Sequence, residues 1–182
     1  AGSAIFTVSL STASGLDISL DSSTLDGSAL AGEDYNGQLT STVTIPAGAL
    51  SAQIAVPITD DLLDEDAESF ILLLGNPDNA SLDNSQATAT ILDNDDLPSL
   101  SIGDVTVDEA VGSATFTVTL SPSSGRAVTV NFSSDDDSAL SLSDYTAVSS
   151  SLSFAAGETI ATFAVPINDD AIDEQDETFN LH

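Results

Sequence analysis

The chain has 182 residues, of which 30 are Asp or Glu and one, Arg126, is basic, so its formal net charge is −29. Nucleic acid and anionic membrane surfaces are bound through Lys and Arg, so this composition excludes both as partners. Cys is absent, which excludes disulfides and thiolate metal sites. Hydrophobic residues make up 41% of the chain, enough for a buried core. No apolar run reaches the roughly 18 residues of a membrane span.

A repeat begins near the start of the chain. Residues 2–11, GSAIFTVSLS, return as residues 112–121, GSATFTVTLS. The whole match joins residues 1–73 to residues 110–182. The offset between matched residues is 110 early in the repeat and 109 later, because the second copy has one residue fewer in a loop. Such a long period is typical of a string of independent domains. The sequence therefore predicts one domain over residues 1–96 and a second over residues 97–182.

Each repeat has the residue pattern of β-strands. Phe116, Val118 and Leu120 alternate with threonines, and similar alternation occurs over residues 70–74, 87–91, 128–132 and 163–167. Pro57 and Pro166 lack an N–H, so we expect them on an edge strand or at a bulge. Short strands at this spacing predict an all-β protein made of tandem immunoglobulin-like antiparallel β-sandwiches.

The two repeats are offset within the chain. Residues 99–110, SLSIGDVTVDEA, form the expected opening strand of the second repeat, and the first repeat has no counterpart of it. The second repeat reaches residue 182 inside a late strand, so we expect it to lack the closing strand. The absence of Met favours an internal piece of a longer or processed chain.

Two acidic clusters follow apolar strands. Residues 60–68 and 169–177 each hold six acids within nine residues, with the shared spacing D-D-x-x-D-E. Oxygen ligands in this number suit Ca²⁺ better than Mg²⁺, which demands strict octahedral geometry. Acids at residues 93–96, and those before the two tyrosines, would join them if the loops meet at one end of a sandwich. The other interpretation, a solvated acidic surface, stays open here.

Other functions have little support in the sequence. An EF-hand is excluded because residues 93–104, DNDDLPSLSIGD, have Leu and Pro where its loop needs Asp and Gly. The one His, His182, is the last residue and Cys is absent, so neither a Ser–His–Asp triad nor a thiol nucleophile is expected, and we expect no enzyme activity. Sugar binding by stacking needs aromatic platforms, whereas Trp is absent. Tyr35 and Tyr145 recur at one place in the repeat and are interpreted as fold elements.

These motifs together resemble the Calx-beta domains. That family combines an FTVTLS strand, an Asp-Tyr pair, an Ala-Gly-Glu-Thr turn, an I-x-D-D-x-x-x-E-x-x-E-x-F block and a closing I-x-D-x-D. The chain has FTVTLS at 116–121, the acidic block at 58–70 and 167–179, and ILDND at 91–95. The resemblance spans essentially the whole chain and implies immunoglobulin-like sandwiches that bind several Ca²⁺ ions at one end.

The resemblance also implies which residues bind calcium. In the first repeat the ligands would be Asp34, Asp60, Asp61, Glu65, Asp93, Asp95 and Asp96, with the backbone carbonyl of Leu63. In the second repeat they would be Glu109, Asp144, Asp169, Asp170 and Glu174, with the backbone carbonyl of Ile172.

The expected function is a non-enzymatic Ca²⁺-binding structural repeat of a secreted or cell-surface protein, forming a rigid stalk, adhesin or matrix fibre. Its partners would be neighbouring copies of the same domain or chain, and cell-surface or matrix components. The alternative is an extracellular filament subunit joined head-to-tail by β-strand donation. An adhesive tip would need a distinctive pocket, which the sequence does not indicate. An intracellular Ca²⁺ sensor is known in the family, but the scarcity of basic residues favours an extracellular location.

Overall fold

The computed structural model describes residues 2–182, which form two compact units. The first unit runs to Asp61 and resumes over Asp66–Asp93, and the second contains Leu62–Glu65 together with Asn94–His182. Both units consist of antiparallel sheets joined by turns and loops. The described residues include no helix that is long and apolar enough to cross a membrane.

The first unit is a sandwich of two sheets. Its strands are β1 (Ser3–Ser9), β2 (Ile18–Asp26), β3 (Ser41–Ile45), β4 (Ser51–Pro57), β5 (Glu68–Asp78) and β6 (Gln86–Ile91). One sheet has the order β3-β2-β5-β6 and the other pairs β1 with β4. Side chains from both sheets meet in one core, where Phe6 of β1 packs edge-on against Phe70 of β5.

The second unit repeats this architecture with different outer strands. Its strands are β7 (Ser99–Ile102), β8 (Ser113–Ser121), β9 (Val128–Asp136), β10 (Ser149–Phe154), β11 (Ile160–Pro166) and β12 (Phe179–Leu181), and one 3-10 turn covers Glu109–Val111. The sheets have the orders β11-β8-β7 and β10-β9-β12. β12 thus corresponds to β5, and β7 pairs with β8 as the expected opening strand.

The alternating residues define the core as predicted. Along β8, Phe116, Val118 and Leu120 are buried while the threonines between them are exposed. Pro57 and Pro166 end β4 and β11, which lie at the edges of their sheets, so the edge-strand prediction is confirmed. An edge strand tolerates a residue that cannot donate a hydrogen bond to a neighbouring strand.

The two tyrosines are part of the fold, as predicted. Tyr35 and Tyr145 are buried, and their hydroxyls donate to Oδ1 of Asp26 at 2.6 Å and of Asp136 at 2.7 Å. Burial, followed by the bond to the aspartate, raises the pKa of both phenols. The same oxygens accept from the Ala31 N–H at 3.0 Å and the Ser141 N–H at 2.7 Å. Each aspartate, at the end of β2 or β9, therefore connects the tyrosine to the loop that follows the strand.

Candidate metal sites

Three separate segments of the second unit bring acidic side chains to one end of its sandwich. Glu109 lies on the 3-10 turn before β8, and Asp144 lies in the loop between β9 and β10. Asp170, Glu174 and Glu177 lie in the long loop between β11 and β12. Antiparallel connections place these loops at a common end, although the segments are far apart in sequence.

The carboxylates form two groups that share one residue. Oxygens of Glu109, Asp170 and Glu174 lie within 4.8 Å of one another, and so do oxygens of Asp144, Glu174 and Glu177. Two oxygens bound to one Ca²⁺ can be at most about 5 Å apart, since each bond is about 2.3–2.6 Å long. The donor set is oxygen only and strongly anionic, which fits a hard divalent cation. Glu174 is central because it belongs to both groups.

Hydrogen bonds hold two of these acids in place. The Leu140 N–H donates to Oδ2 of Asp144 at 2.6 Å, and this bond is the main reason that the pKa of Asp144 is lowered. The Ile172 N–H donates to Oδ1 of Asp170 at 2.6 Å. Both carboxylates are therefore oriented by the backbone of their own loops before any ion binds.

Crowding makes the cluster electrostatically unfavourable without a cation. Burial raises the pKa of Glu109, and the neighbouring charges of Asp170, Asp169, Glu174 and Asp144 raise it further. Burial also raises the pKa of Glu177, with Asp144 as the next contribution. Like charges at close range disfavour ionisation, and a divalent cation would reverse that effect.

The first unit shows the start of a similar arrangement. Oδ2 of Asp34 accepts from the Leu30 N–H at 2.6 Å, as Asp144 does from Leu140. Carboxylate oxygens of Asp34 and Glu68 lie within 4.8 Å of each other. Glu68 is the counterpart of Glu177, so both repeats bring this acid next to the aspartate that precedes the tyrosine.

Asp64, in the middle of the first acidic cluster, is buried within the second unit and contacts the one arginine. Nη2 of Arg126 lies 2.7 Å from Oδ1 and 2.6 Å from Oδ2 of Asp64, and the Ser124 hydroxyl donates to Oδ2 at 3.1 Å. The bond to Arg126 is the main reason that the pKa of Asp64 is lowered. The Gly125 N–H donates to the Asp64 carbonyl at 3.0 Å. The fold thus pairs one member of the cluster with a cation 62 residues away in the sequence.

The other predicted ligands lie on the expected loops. Asp60 and Asp61 follow β4 and are exposed, and Leu63 is half-buried. The Glu65 side chain lies so close to Gly125 that a Cβ at that position would be 2.6 Å from Oε1 of Glu65. Asp93, Asp95 and Asp96 follow β6. Asp169 and the exposed Ile172 lie beside the second-unit cluster, in neither of its carboxylate groups.

The structure adds Glu177 as a further candidate ligand in the second unit. Glu177 belongs to the second acidic cluster and is absent from the ligand set that the resemblance implies, yet its carboxylate oxygen lies within 4.8 Å of oxygens of Asp144 and Glu174. The signal for it was present in the E-x-x-E spacing of the block. Arg126 had no such signal, because its partner Asp64 is distant in sequence.

Comparison with known domains identifies the family. The sequence profile of the Calx-beta domain matches residues 1–95 and, separately, residues 98–182. The chain therefore belongs to the Calx-beta family and contains two of its domains in tandem. The fold agrees with this assignment, since each unit is an antiparallel β-sandwich.

Individual relatives are more distant. The "Extracellular matrix protein 3" of Lytechinus variegatus is 28% identical over 175 residues, a match that covers 87% of this chain and 6% of that protein. The solved structure of CBD12 from CALX1.2 is 25% identical, with a TM-score of 0.49, over 100% of this chain and 73% of that one. The calcium binding domain CBD12 of CALX1.1 is 24% identical, with a TM-score of 0.48 and the same coverage.

Proposed function

We propose that this chain is a Ca²⁺-binding, non-catalytic structural tandem of an extracellular protein, divided into domains at residues 96 and 97, and that it contributes to a stalk, adhesin or matrix fibre. The observation that carries the proposal is the cluster formed by Glu109, Asp144, Asp170, Glu174 and Glu177. The relative named as an extracellular matrix protein supports the location, although the match covers 6% of its length.

In this proposal calcium stabilises the loops at the end of each sandwich. Without a cation, the carboxylates repel one another and ionised Glu109 and Glu177 are disfavoured. Bound Ca²⁺ would supply the positive charge and draw three separate segments of the second unit together. Since the ion binds the folded state, its binding free energy adds to the stability of that domain. A domain that bears mechanical load outside the cell would gain from this.

Calorimetric titration with Ca²⁺, with Mg²⁺ as the comparison ion, tests the site. Glu174→Gln removes the acid that both groups share, and we expect it to weaken Ca²⁺ binding at least about tenfold, which corresponds to ~1.4 kcal/mol. Asp173→Asn is the matched control, because Asp173 is an exposed acid of the same loop that belongs to neither group. Equal losses in both variants would show that general charge, not coordination, attracts the ion. Absence of Ca²⁺ binding would leave a solvated acidic surface.

Single-molecule force spectroscopy tests the structural role separately. We expect Ca²⁺ to raise the force at which the second unit unfolds, and EDTA to reverse the change. Ca²⁺ binding without any effect on unfolding force would retain the site and contradict the load-bearing role.

A further inference from the structure

The loop between β2 and β3 contains the dipeptide Asn36–Gly37, directly after the buried Tyr35. Asn36 and Gly37 are both exposed. Asparagine followed by glycine is chemically reactive, because the backbone nitrogen of the glycine can attack the side-chain amide when no glycine side chain blocks the approach. Whether the folded chain allows this attack depends on the hydrogen bonds and the neighbours of the two residues.

Hydrogen bonds hold the chain on both sides of this dipeptide and leave its reacting groups open. The Asn36 N–H donates to the Pro57 carbonyl at 2.9 Å, and the Gln38 N–H donates to Oγ1 of Thr24 at 2.8 Å. Within residues 2–182, no hydrogen bond joins the Asn36 side chain or the Gly37 N–H to another residue. Neither reacting group therefore has to leave a protein partner before it reacts.

Close packing explains why the first unit has a glycine at this position. A Cβ added to Gly37 would lie 2.6 Å from the Cβ of Ala31. Carbon atoms pack at roughly 3.5–4.0 Å, so a larger residue would force one of the two segments to move. The first loop thus retains the residue that makes Asn36 reactive.

The equivalent loop of the second unit has the same hydrogen bonds without the reactive pair. Thr146 and Ala147 occupy the two positions there, and both are exposed. The Thr146 N–H donates to the Pro166 carbonyl at 2.9 Å, and the Val148 N–H donates to Oγ of Ser134 at 2.9 Å. The fold of the loop therefore does not require Asn followed by Gly, and each unit is an internal reference for the other.

We propose that Asn36 is a site of spontaneous covalent modification, at which the folded chain is converted to aspartate and isoaspartate. The Gly37 nitrogen loses its proton and forms a bond to Cγ of Asn36, while the Cγ–Nδ2 bond breaks and ammonia leaves. Water then opens the cyclic succinimide. Attack of water at Cγ gives aspartate, and attack at the main-chain carbonyl gives isoaspartate, in which the chain runs through Cγ. Water is the only co-reactant.

Both products change the loop. Each adds a negative charge at position 36, close in sequence to Asp34. Isoaspartate also lengthens the main chain by a methylene between the contacts with Pro57 and Thr24, so we expect it to distort them. Because no enzyme is needed, the converted fraction depends on the age of the protein.

Two other positions of the chain are internal controls. Asp26–Gly27 can form the same succinimide, but its carboxylate accepts from the Tyr35 hydroxyl at 2.6 Å. Its glycine N–H donates to the Ala29 carbonyl at 3.3 Å. The Asn79 amide donates to a carbonyl at 3.1 Å and to a carboxylate at 3.2 Å, and glycine does not follow it. We expect neither position to react at the rate of Asn36.

Timed incubation of the 182-residue chain in mildly alkaline buffer, native and unfolded in urea, tests the site. Peptide mass spectrometry follows the mass increase at Asn36, and labelling by isoaspartyl methyltransferase measures the isoaspartate. We expect the native rate to lie within about tenfold of the unfolded rate, a difference in barrier of at most ~1.4 kcal/mol. Conversion confined to the unfolded chain would overturn the proposal. A native rate at Asn36 no higher than that at Asn79 would do the same.

Matched variants exchange the residues of the two loops. Asn36→Thr introduces the residue that the second unit has at this position, and it should abolish the conversion. Thr146→Asn combined with Ala147→Gly places the reactive pair in the second loop, and it should create a second site that converts at a similar rate. Undiminished conversion of the Asn36→Thr chain would place the modification elsewhere. An inert pair in the second loop would contradict the argument from exposure and matching hydrogen bonds.

Discussion

The two units repeat the same core residues, but their outer strands differ. In the first unit β6 covers β5, and Phe70 is fully buried. In the second unit β7 adds to the opposite sheet, and Phe179, the first residue of β12, is partly exposed. The alternating pattern thus places both phenylalanines on an inner face, and packing of β6 side chains accounts for the deeper burial of Phe70.

The two acidic clusters differ in a similar way. Asp64 is buried and paired with Arg126, whereas its counterpart Asp173 is exposed. Although the spacing is identical, Asp64 is thus paired with an arginine side chain, whereas Asp173 is exposed to solvent. In the second-unit cluster the charge of Asp173 is not neutralised by an arginine, so a cation from solution would have to compensate it. This cluster is therefore the better place to test cation binding.

The largest expected effect concerns the two core phenylalanines. Truncating a fully buried Phe costs about 3–5 kcal/mol, and we expect Phe70→Ala to fall in that range. Phe179→Ala should cost clearly less, because part of its ring is already in water. Scanning calorimetry of both variants measures the difference. A loss for Phe179→Ala equal to that for Phe70→Ala would contradict the contrast in burial.

Calcium should produce the next largest change. At a free concentration one hundred times its Kd, a ligand that binds only the folded state adds about 2.7 kcal/mol to stability. Glu177→Gln should have opposite effects in the two conditions. In EDTA it should raise the melting temperature, because a crowded negative charge is removed. In Ca²⁺ it should reduce the rise in melting temperature that the ion produces. Melting curves in both conditions test this, with Asp173→Asn as control. A destabilised variant in EDTA would show that Glu177 is not under electrostatic strain.

The tyrosine hydroxyls offer a smaller, matched pair of effects. Tyr35 stacks on Phe70 and Tyr145 on Phe179. Tyr35→Phe and Tyr145→Phe each remove one hydrogen bond to an aspartate and keep this stacking, so each should cost about 1 kcal/mol in urea unfolding. The two losses should be similar, since the bonds are 2.6 and 2.7 Å long. Clearly unequal losses would show that the repeats do not use this bond equivalently.

The smallest effect is the pH dependence that comes from Asp64. Its pKa is lowered in the folded state, so its contribution to stability is fully present above the unfolded pKa and is lost as pH falls through the folded value. We expect Arg126→Gln to reduce stability at neutral pH and to make the acid side of the stability–pH curve less steep. Ser153→Ala, at an exposed position of the second unit, is the control. An unchanged acid limb would indicate that other carboxylates dominate it.

The sequence predicted the features that depend on local pattern. Alternation along residues 116–120 identified β8, and the missing N–H of Pro57 and Pro166 placed both at sheet edges. The expected antiparallel sandwich allowed the loops that carry Asp144 and Glu174 to meet at one end. These inferences worked because strand periodicity and antiparallel connection are short-range properties.

Contacts between segments that are distant in sequence could not be predicted from the sequence pattern. Nothing in the residues around Arg126 indicates that Asp64 is its partner, since the chain must fold before they meet. Glu177 lay between the local features and these distant contacts: its spacing was visible, but its proximity to Asp144 required the loop conformation.

The ion pair between Arg126 and Asp64 has a consequence for how the chain resists proteolysis. Proteases of trypsin-like specificity cut after Lys or Arg, and in 182 residues this chain offers them one such bond, after Arg126. That side chain is engaged by a buried carboxylate, and a protease must detach it before its own acidic pocket can bind the guanidinium. A composition that leaves nearly no basic residues therefore also leaves nearly no sites for a large class of digestive enzymes.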